Sequence, residues 1–202
     1  MSAEKVFSIV FILDESGSME SMGDEPCQTI NNFVEDQKKA GKFKFTLIFF
    51  NNKTNFIFKN LESDNIPILK REDYKPSNMT ALNDAIGCGI IYQKSQSLEN
   101  VIFVILTDGL ENSSKEFSGP CIKQMIEDME NTHNWKFIYL AANQDACLIG
   151  NNMGISSSKT FDCTPTGLCN IMRTVSSSLS RAISGETNIK EFKLDDKVIN
   201  KV

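Results

Sequence analysis

Histidine is almost missing from this chain: His133 is the single example in 202 residues. It closes a helical pattern just before Trp135, near the negative end of a helix dipole, so no Ser-His-Asp triad can be assembled around it. There is no G-x-x-x-x-G-K-[ST] loop, which disfavours nucleotide hydrolysis. The six cysteines (Cys27, Cys88, Cys121, Cys147, Cys163 and Cys169) include no C-x-x-C pair, so neither a zinc site nor a disulfide framework fits their spacing. Four of them, Cys27, Cys88, Cys121 and Cys147, fall in segments that read as helical and partly buried, which suits free thiols in a reducing compartment. Positive charge is short as well, with 21 Lys and Arg against 26 Asp and Glu and a formal net charge of −5. No basic stripe exists to neutralise phosphates, so nucleic-acid binding is not expected. The closing segment "KEFKLDDKVINKV" mixes signs and reads as a solvated tail. No apolar run approaches the roughly 20 residues that cross a bilayer. The opening "MSAEKVFSIVFILDESG" has no small-residue cleavage site after its short apolar stretch. The expectation is a cytoplasmic protein without a membrane segment.

What is present is an alternation of two patterns. Strand candidates fall at residues 6–13, 43–50, 55–58, 101–106 and 136–140, with a weaker one at 160–163. Three of them ("VFSIVFIL", "FKFTLIFF" and "VIFVIL") are almost continuously apolar, as strands are when both faces of their sheet are covered. Between them apolar residues recur at helical spacing: Cys27, Ile30, Phe33, Val34; Leu82, Ala85, Ile86, Ile90; Ile122, Met125, Ile126, Met129; and Leu168, Ile171, Met172, Val175, Leu179, Ile183. Strands alternating with helices imply an α/β fold, with a doubly wound, mainly parallel central sheet flanked by helices on both faces. The Asn-rich turn "FNNKTNF" suggests that 55–58 is a short antiparallel strand at an edge. No internal repeat and no linker divides the chain. Residues 1–185 are expected to form one domain and 186–202 a C-terminal tail.

Polar residues gather where the apolar runs stop. Asp14 ends the first run, and Ser16 and Ser18 follow at two-residue intervals in "DESGS". A loop can turn alternate side chains toward one point, giving an all-oxygen cup for a hard divalent cation; alternatively this is a polar turn whose Asp caps the next helix. In doubly wound sheets ligands bind outside the carboxyl ends of the strands, where strand order reverses. "LTDGLENS" places Asp108 at the end of the 101–106 strand, and "KPSNMTALNDAIG" places Thr80 just before a helix. If the first and fourth strands are neighbours, Asp14, Ser16, Ser18, Thr80 and Asp108 can all reach one point.

With these residues in place, the sequence resembles the von Willebrand factor A-type (vWA) domain family and its metal-ion-dependent adhesion site. The pattern D-x-S-x-S, then a distant Thr, then an Asp is matched in type and order by Asp14, Ser16, Ser18, Thr80 and Asp108. The resemblance runs from about residue 5 to about residue 183, and "NQDACLIGNNMGI" looks like the cytoplasmic microbial and viral branch. It implies a metal-dependent protein-binding module: Ser16, Ser18 and Thr80 as hydroxyl ligands, Asp14 and Asp108 acting mostly through waters, and Mg²⁺ as the cation, with Mn²⁺ or Ca²⁺ as alternatives. Hydroxyl ligands leave much of the ion's charge uncompensated, so an Asp or Glu of a partner protein could complete its shell. Relatives of this type often carry two acids after "TDG"; here Leu110 replaces the first and Glu111 remains. Glu15 either fills the open metal position at rest or is solvated, and Asp84 either orients a metal-bound water or is a plain surface residue. Segments 20–26, 75–79 and 110–117 are expected to form the rim that sets specificity.

An enzyme, a metal-dependent hydrolase, is the weaker expectation. An aspartyl-phosphate mechanism starting at Asp14 wants a second carboxylate two residues on, where Ser16 stands. A structural, self-assembling component, with a neighbouring copy at the site, is the other alternative.

Overall fold

The computed structural model describes residues 6–194. Its strands are β1 (Phe7–Asp14), β2 (Phe43–Phe50), β3 (Thr54–Glu62), β4 (Val101–Thr107), β5 (Lys136–Ala142) and β6 (Ser157–Phe161). Its α-helices are α1 (Glu25–Ala40), α2 (Leu82–Ser95), α3 (Gly119–His133), α4 (Ala146–Asn152) and α5 (Pro165–Ile183). The six strands form one sheet in the order β3-β2-β1-β4-β5-β6, with only β3 antiparallel to its neighbour. β1 and β4 are therefore central and adjacent, as their unbroken apolarity requires.

Alternation along each strand divides the interior into two cores. Ile9, Phe11 and Leu13 face one way and pack with Phe33 of α1 and Val175 and Leu179 of α5. Val10 and Ile12 face the other way, with Ile86 of α2, Ile126 of α3 and Trp135. Phe103 stacks between Trp135 and Phe137, with ring centroids 5.7 and 4.7 Å away.

Several boundaries differ from the sequence reading. β3 runs for nine residues rather than four, because register shifts opposite Phe45–Ile48 let it continue past Phe58. Asn60 adopts φ 47° there, and its side chain accepts hydrogen bonds from Thr46 Oγ1 and Gln93 Nε2, both at 3.1 Å. α4 went unread because seven residues offer no repeating apolar stripe; Asp145 starts it by accepting from Leu148 N at 2.9 Å. β6, expected at 160–163, starts three residues earlier, at Ser157, and ends at Phe161. Of the cysteines read as partly buried, Cys121 and Cys147 are exposed; all six are unpaired. Part of the expected tail packs down: Ile189 and Phe192 are 5 % exposed and join the core beneath α1 and α5. The remainder of that tail, 195–202, lies outside the described residues.

Candidate functional site

The chain runs outward from β1 through β2 to β3 and returns to β4 on the opposite side of β1. Strand order thus reverses between β1 and β4, and their carboxyl ends open a crevice. Asp14 is the last residue of β1 and has no exposed surface. One of its oxygens accepts from Ser16 N at 2.7 Å and the other from the Thr107 hydroxyl at 2.5 Å, tying the ends of the two strands together. Ser16 and Ser18 hydroxyls lie 3.1 Å apart, and Ser18 donates to Asp108 Oδ1 at 2.7 Å. Thr80 enters from the opposite loop. A Cβ on Gly109 would stand 2.9 Å from Thr80 Oγ1, so the missing side chain at 109 is what lets the Asp108–Gly109 turn approach the hydroxyl. The five residues singled out in the sequence are thus brought to one place.

The electrostatics of this cup follow from burial. Desolvation raises the pKa of both Asp14 and Asp108, partly opposed by the hydroxyl and amide donors around them, and the charge on Asp108 adds to the rise at Asp14. Neither carboxylate has an ion-pair partner among the described residues. No group of three or more His, Cys, Asp and Glu gathers among those residues, so the donor set is two carboxylates and three hydroxyls. Such a set suits a hard oxygen-seeking cation and not a soft one.

A second tier holds the cup in shape. Tyr74 is fully buried, packs edge-on against Phe49 at 5.3 Å, and donates to the Asp14 carbonyl at 2.6 Å. Glu15 accepts from Lys75 N at 2.7 Å through its side chain and from Ser77 N at 2.9 Å through its carbonyl, while Gly17 N donates to Asn78 O at 3.1 Å. Segment 74–80 is thereby clasped onto segment 14–17. Glu15 is 7 % exposed, so it is not solvated, and desolvation raises its pKa. Asn112 grips Thr80 from both sides, accepting from its N–H at 2.9 Å and donating to its carbonyl at 3.0 Å.

Two acids considered for the chemistry prove structural. Ala81 cannot cap α2, so the 110–117 segment does it: Glu111 accepts from Asn83 N at 2.8 Å and Ser114 Oγ accepts from Asp84 N at 3.1 Å. Glu111 also accepts from the amides of Ser113 and Ser114. Asp84 returns the favour, accepting from the amides of Lys115, Glu116 and Phe117 at 2.8–2.9 Å. Of the expected rim, Met79 and Leu110 are exposed, but Met22 is buried in the core near Cys163. Sequence reasoning missed Tyr74, Thr107 and Asn112 as positioning residues. Thr107 carried a signal, since a polar residue closing a buried strand needs a partner there; the other two carried none.

No protein-family model and no curated protein sequence matches the chain. Its likenesses are to solved structures. The PilB minor pilin from Streptococcus sanguinis matches over 93 % of this chain with 15 % identity and a TM-score of 0.68; this chain spans 64 % of that one. The von Willebrand factor type A protein from Catenulispora acidiphila matches over 86 % of this chain and 42 % of its own, with 14 % identity and a TM-score of 0.62. Manganese-loaded TRAP protein from Plasmodium vivax matches over 79 % of this chain and 70 % of its own, with 11 % identity and a TM-score of 0.53. The fold adopted here is that of the von Willebrand factor A-type domain.

Proposed function

We propose that this protein is a metal-dependent protein-binding module without catalytic activity. Asp14, Ser16, Ser18, Thr80 and Asp108 would hold a divalent cation, Mg²⁺ first among Mg²⁺, Mn²⁺ and Ca²⁺. The observation that carries this reading is the pair of desolvated carboxylates, Asp14 and Asp108, which have no cationic partner among the described residues yet face a row of hydroxyls. When bound, the ion would supply an electropositive contact for an Asp or Glu side chain of a partner protein. The residues of this chain do the rest. Asp14 locks β1 to β4, Ser16 and Ser18 orient one another and Asp108, and Tyr74 and Glu15 hold the opposing loop so that Thr80 stays at the cup. The manganese held by TRAP supports a cation on this fold. Six unpaired thiols support a reducing, cytoplasmic setting, and no helix among the described residues is long and apolar enough to cross a membrane.

Titration calorimetry with MgCl₂ and MnCl₂ tests the proposal directly. Wild-type protein should bind one ion, and Asp14→Ala should abolish that binding while keeping a cooperative melt. Unchanged affinity in the variant would overturn the assignment. A second reading, self-assembly with a neighbouring copy at the cup, is favoured by the pilin likeness. It requires that size exclusion in Mg²⁺ show an oligomer and that this oligomer disperse in EDTA.

A further inference from the structure

On the β6 side of the cup, three donors from three separate segments meet. Cys163 stands two residues past the end of β6, with its thiol 3.9 Å from Asp108 Oδ2 and 4.0 Å from Met22 Sδ. Met22 closes the short 3₁₀ turn Gly17–Met22 that follows β1 and is 3 % exposed, whereas Cys163 is half-buried. One S–H proton cannot serve a carboxylate and a thioether at once, so one of these two acceptors goes without it. The backbone around the donors is held in place. Cys163 N donates to Asn143 Oδ1 at 3.1 Å, Asn143 N donates to the Phe161 carbonyl at 3.0 Å, and Thr164 starts α5 by accepting from Gly167 N at 3.0 Å. Ser18 fixes Asp108 by donating to its other oxygen at 2.7 Å. Side chains oriented in this way need little rearrangement to take an ion.

The separations are those of two ligands on one metal. An ion about 2.3 Å from each of two sulfurs that stand 4.0 Å apart subtends an angle of about 120°. With a metal–oxygen bond of about 2.1 Å, the thiol and the carboxylate oxygen 3.9 Å apart subtend about 125°. Both angles suit trigonal coordination. A thiolate with a thioether selects soft Cu⁺, where the hydroxyls of the cup select a hard ion. We infer that Cys163, Met22 and Asp108 form a second metal site, for Cu⁺, which shares Asp108 with the cup. The thiol proton passes to solvent as the S–Cu⁺ bond forms, so one positive charge replaces another and the net charge of the site is unchanged. Because Asp108 belongs to both sites, Cu⁺ on its Oδ2 weakens Mg²⁺ at the cup, and Mg²⁺ weakens Cu⁺ by the same factor. This coupling rests on the metal-dependent reading of the cup; the Cu⁺ site does not.

The test uses the whole chain, labelled with [methyl-¹³C]methionine, in metal-stripped buffer with ascorbate and without oxygen. Cu⁺ buffered by bicinchoninate is the probe. One equivalent should shift the Met22 methyl resonance, which is identified by its loss in Met22→Leu. Cys163→Ser should abolish that shift and weaken Cu⁺ at least about tenfold, as loss of a metal's supporting groups does. Met22→Leu, a swap of similar volume that the core tolerates, should weaken Cu⁺ to a similar extent. Cys121→Ser is the control: its thiol lies 3.9 Å from Met125 Sδ on the exposed face of α3, without an Asp108 beside it, and its loss should change neither reading. A Met22 methyl that stays in place, or equal Cu⁺ affinity in wild type and Cys163→Ser, would overturn the site. Mg²⁺ calorimetry with and without one equivalent of Cu⁺ reads the coupling. Mg²⁺ affinity should fall several-fold, and an unchanged value would overturn the coupling while leaving the site standing. A chain that took Cu⁺ at Met22 but no Mg²⁺ at all would support the soft site and overturn the reading of the cup.

Discussion

Tyr74→Phe deletes one oxygen atom from the second tier of the cup and leaves the ring that packs on Phe49 in place. The lost hydroxyl donates at 2.6 Å to the carbonyl of Asp14, and Tyr74 is wholly buried. No water can replace a donor at such a position without opening the site, so the carbonyl loses a bond and stays desolvated. That combination costs roughly 1–3 kcal/mol. Taking the middle of the range, about 2 kcal/mol, and about 2–4 °C per kcal/mol for a chain of this size, the melt should fall by about 4–8 °C. The measurement is a calorimetric or circular-dichroism melt in chelated buffer, with urea unfolding to show an unchanged m value. Tyr92→Phe is the control: its hydroxyl accepts a long 3.4 Å bond from Asn60 Nδ2, so its effect should stay within about 0.5 kcal/mol. Because Tyr74 sets the end of β1 on which Asp14 stands, Mg²⁺ affinity should also drop several-fold. If Tyr74→Phe melted within a degree of wild type and bound Mg²⁺ unchanged, the reasoning that the 74–80 clasp positions the cup would be refuted.

Three further outcomes are expected. Mg²⁺ at about a hundred times its dissociation constant should stabilise the wild type by about 2.7 kcal/mol, or about 5–11 °C, and Asp14→Asn should show no such shift in a thermal melt. Folded-state pKa values of Asp14 and Asp108 are raised above the ordinary 3.8, so the folded, metal-free protein binds more protons than the unfolded chain above that pH. Their stabilising contribution is complete below about pH 3.8 and is lost as pH rises through the folded values. In chelated buffer, a plot of melting temperature against pH should therefore fall less steeply for Asp14→Asn than for wild type. Gly87→Ala would place a methyl 2.6 Å from the Phe117 ring, costing about 1–3 kcal/mol against a helix-propensity gain of about 1 kcal/mol; adding Phe117→Ala should recover melting temperature if that contact is the cause.

Much of the architecture was legible because burial leaves a periodic mark on sequence. Unbroken apolar runs at β1, β2 and β4 announced strands covered on both faces, and apolar stripes at helical spacing announced α1, α2, α3 and α5. Which face each residue took followed from the same arithmetic, and the spacing of Asp14, Ser16 and Ser18 marked the loop that the structure sets beside Thr80 and Asp108. The tertiary structure alone decided who holds whom. Tyr74 meets Asp14 across 60 positions of chain and Thr107 meets it across 93, while Glu111 accepts from Asn83 N and Asp84 from Glu116 N, joining a loop and a helix start about 30 residues apart. A Glu that caps a distant helix, a Glu in solvent and a Glu at a metal are the same letter. The side chain's role is set by which amides the folded backbone brings within about 3 Å of it, and that proximity is a property of packed strands and loops, absent from any local pattern of residues.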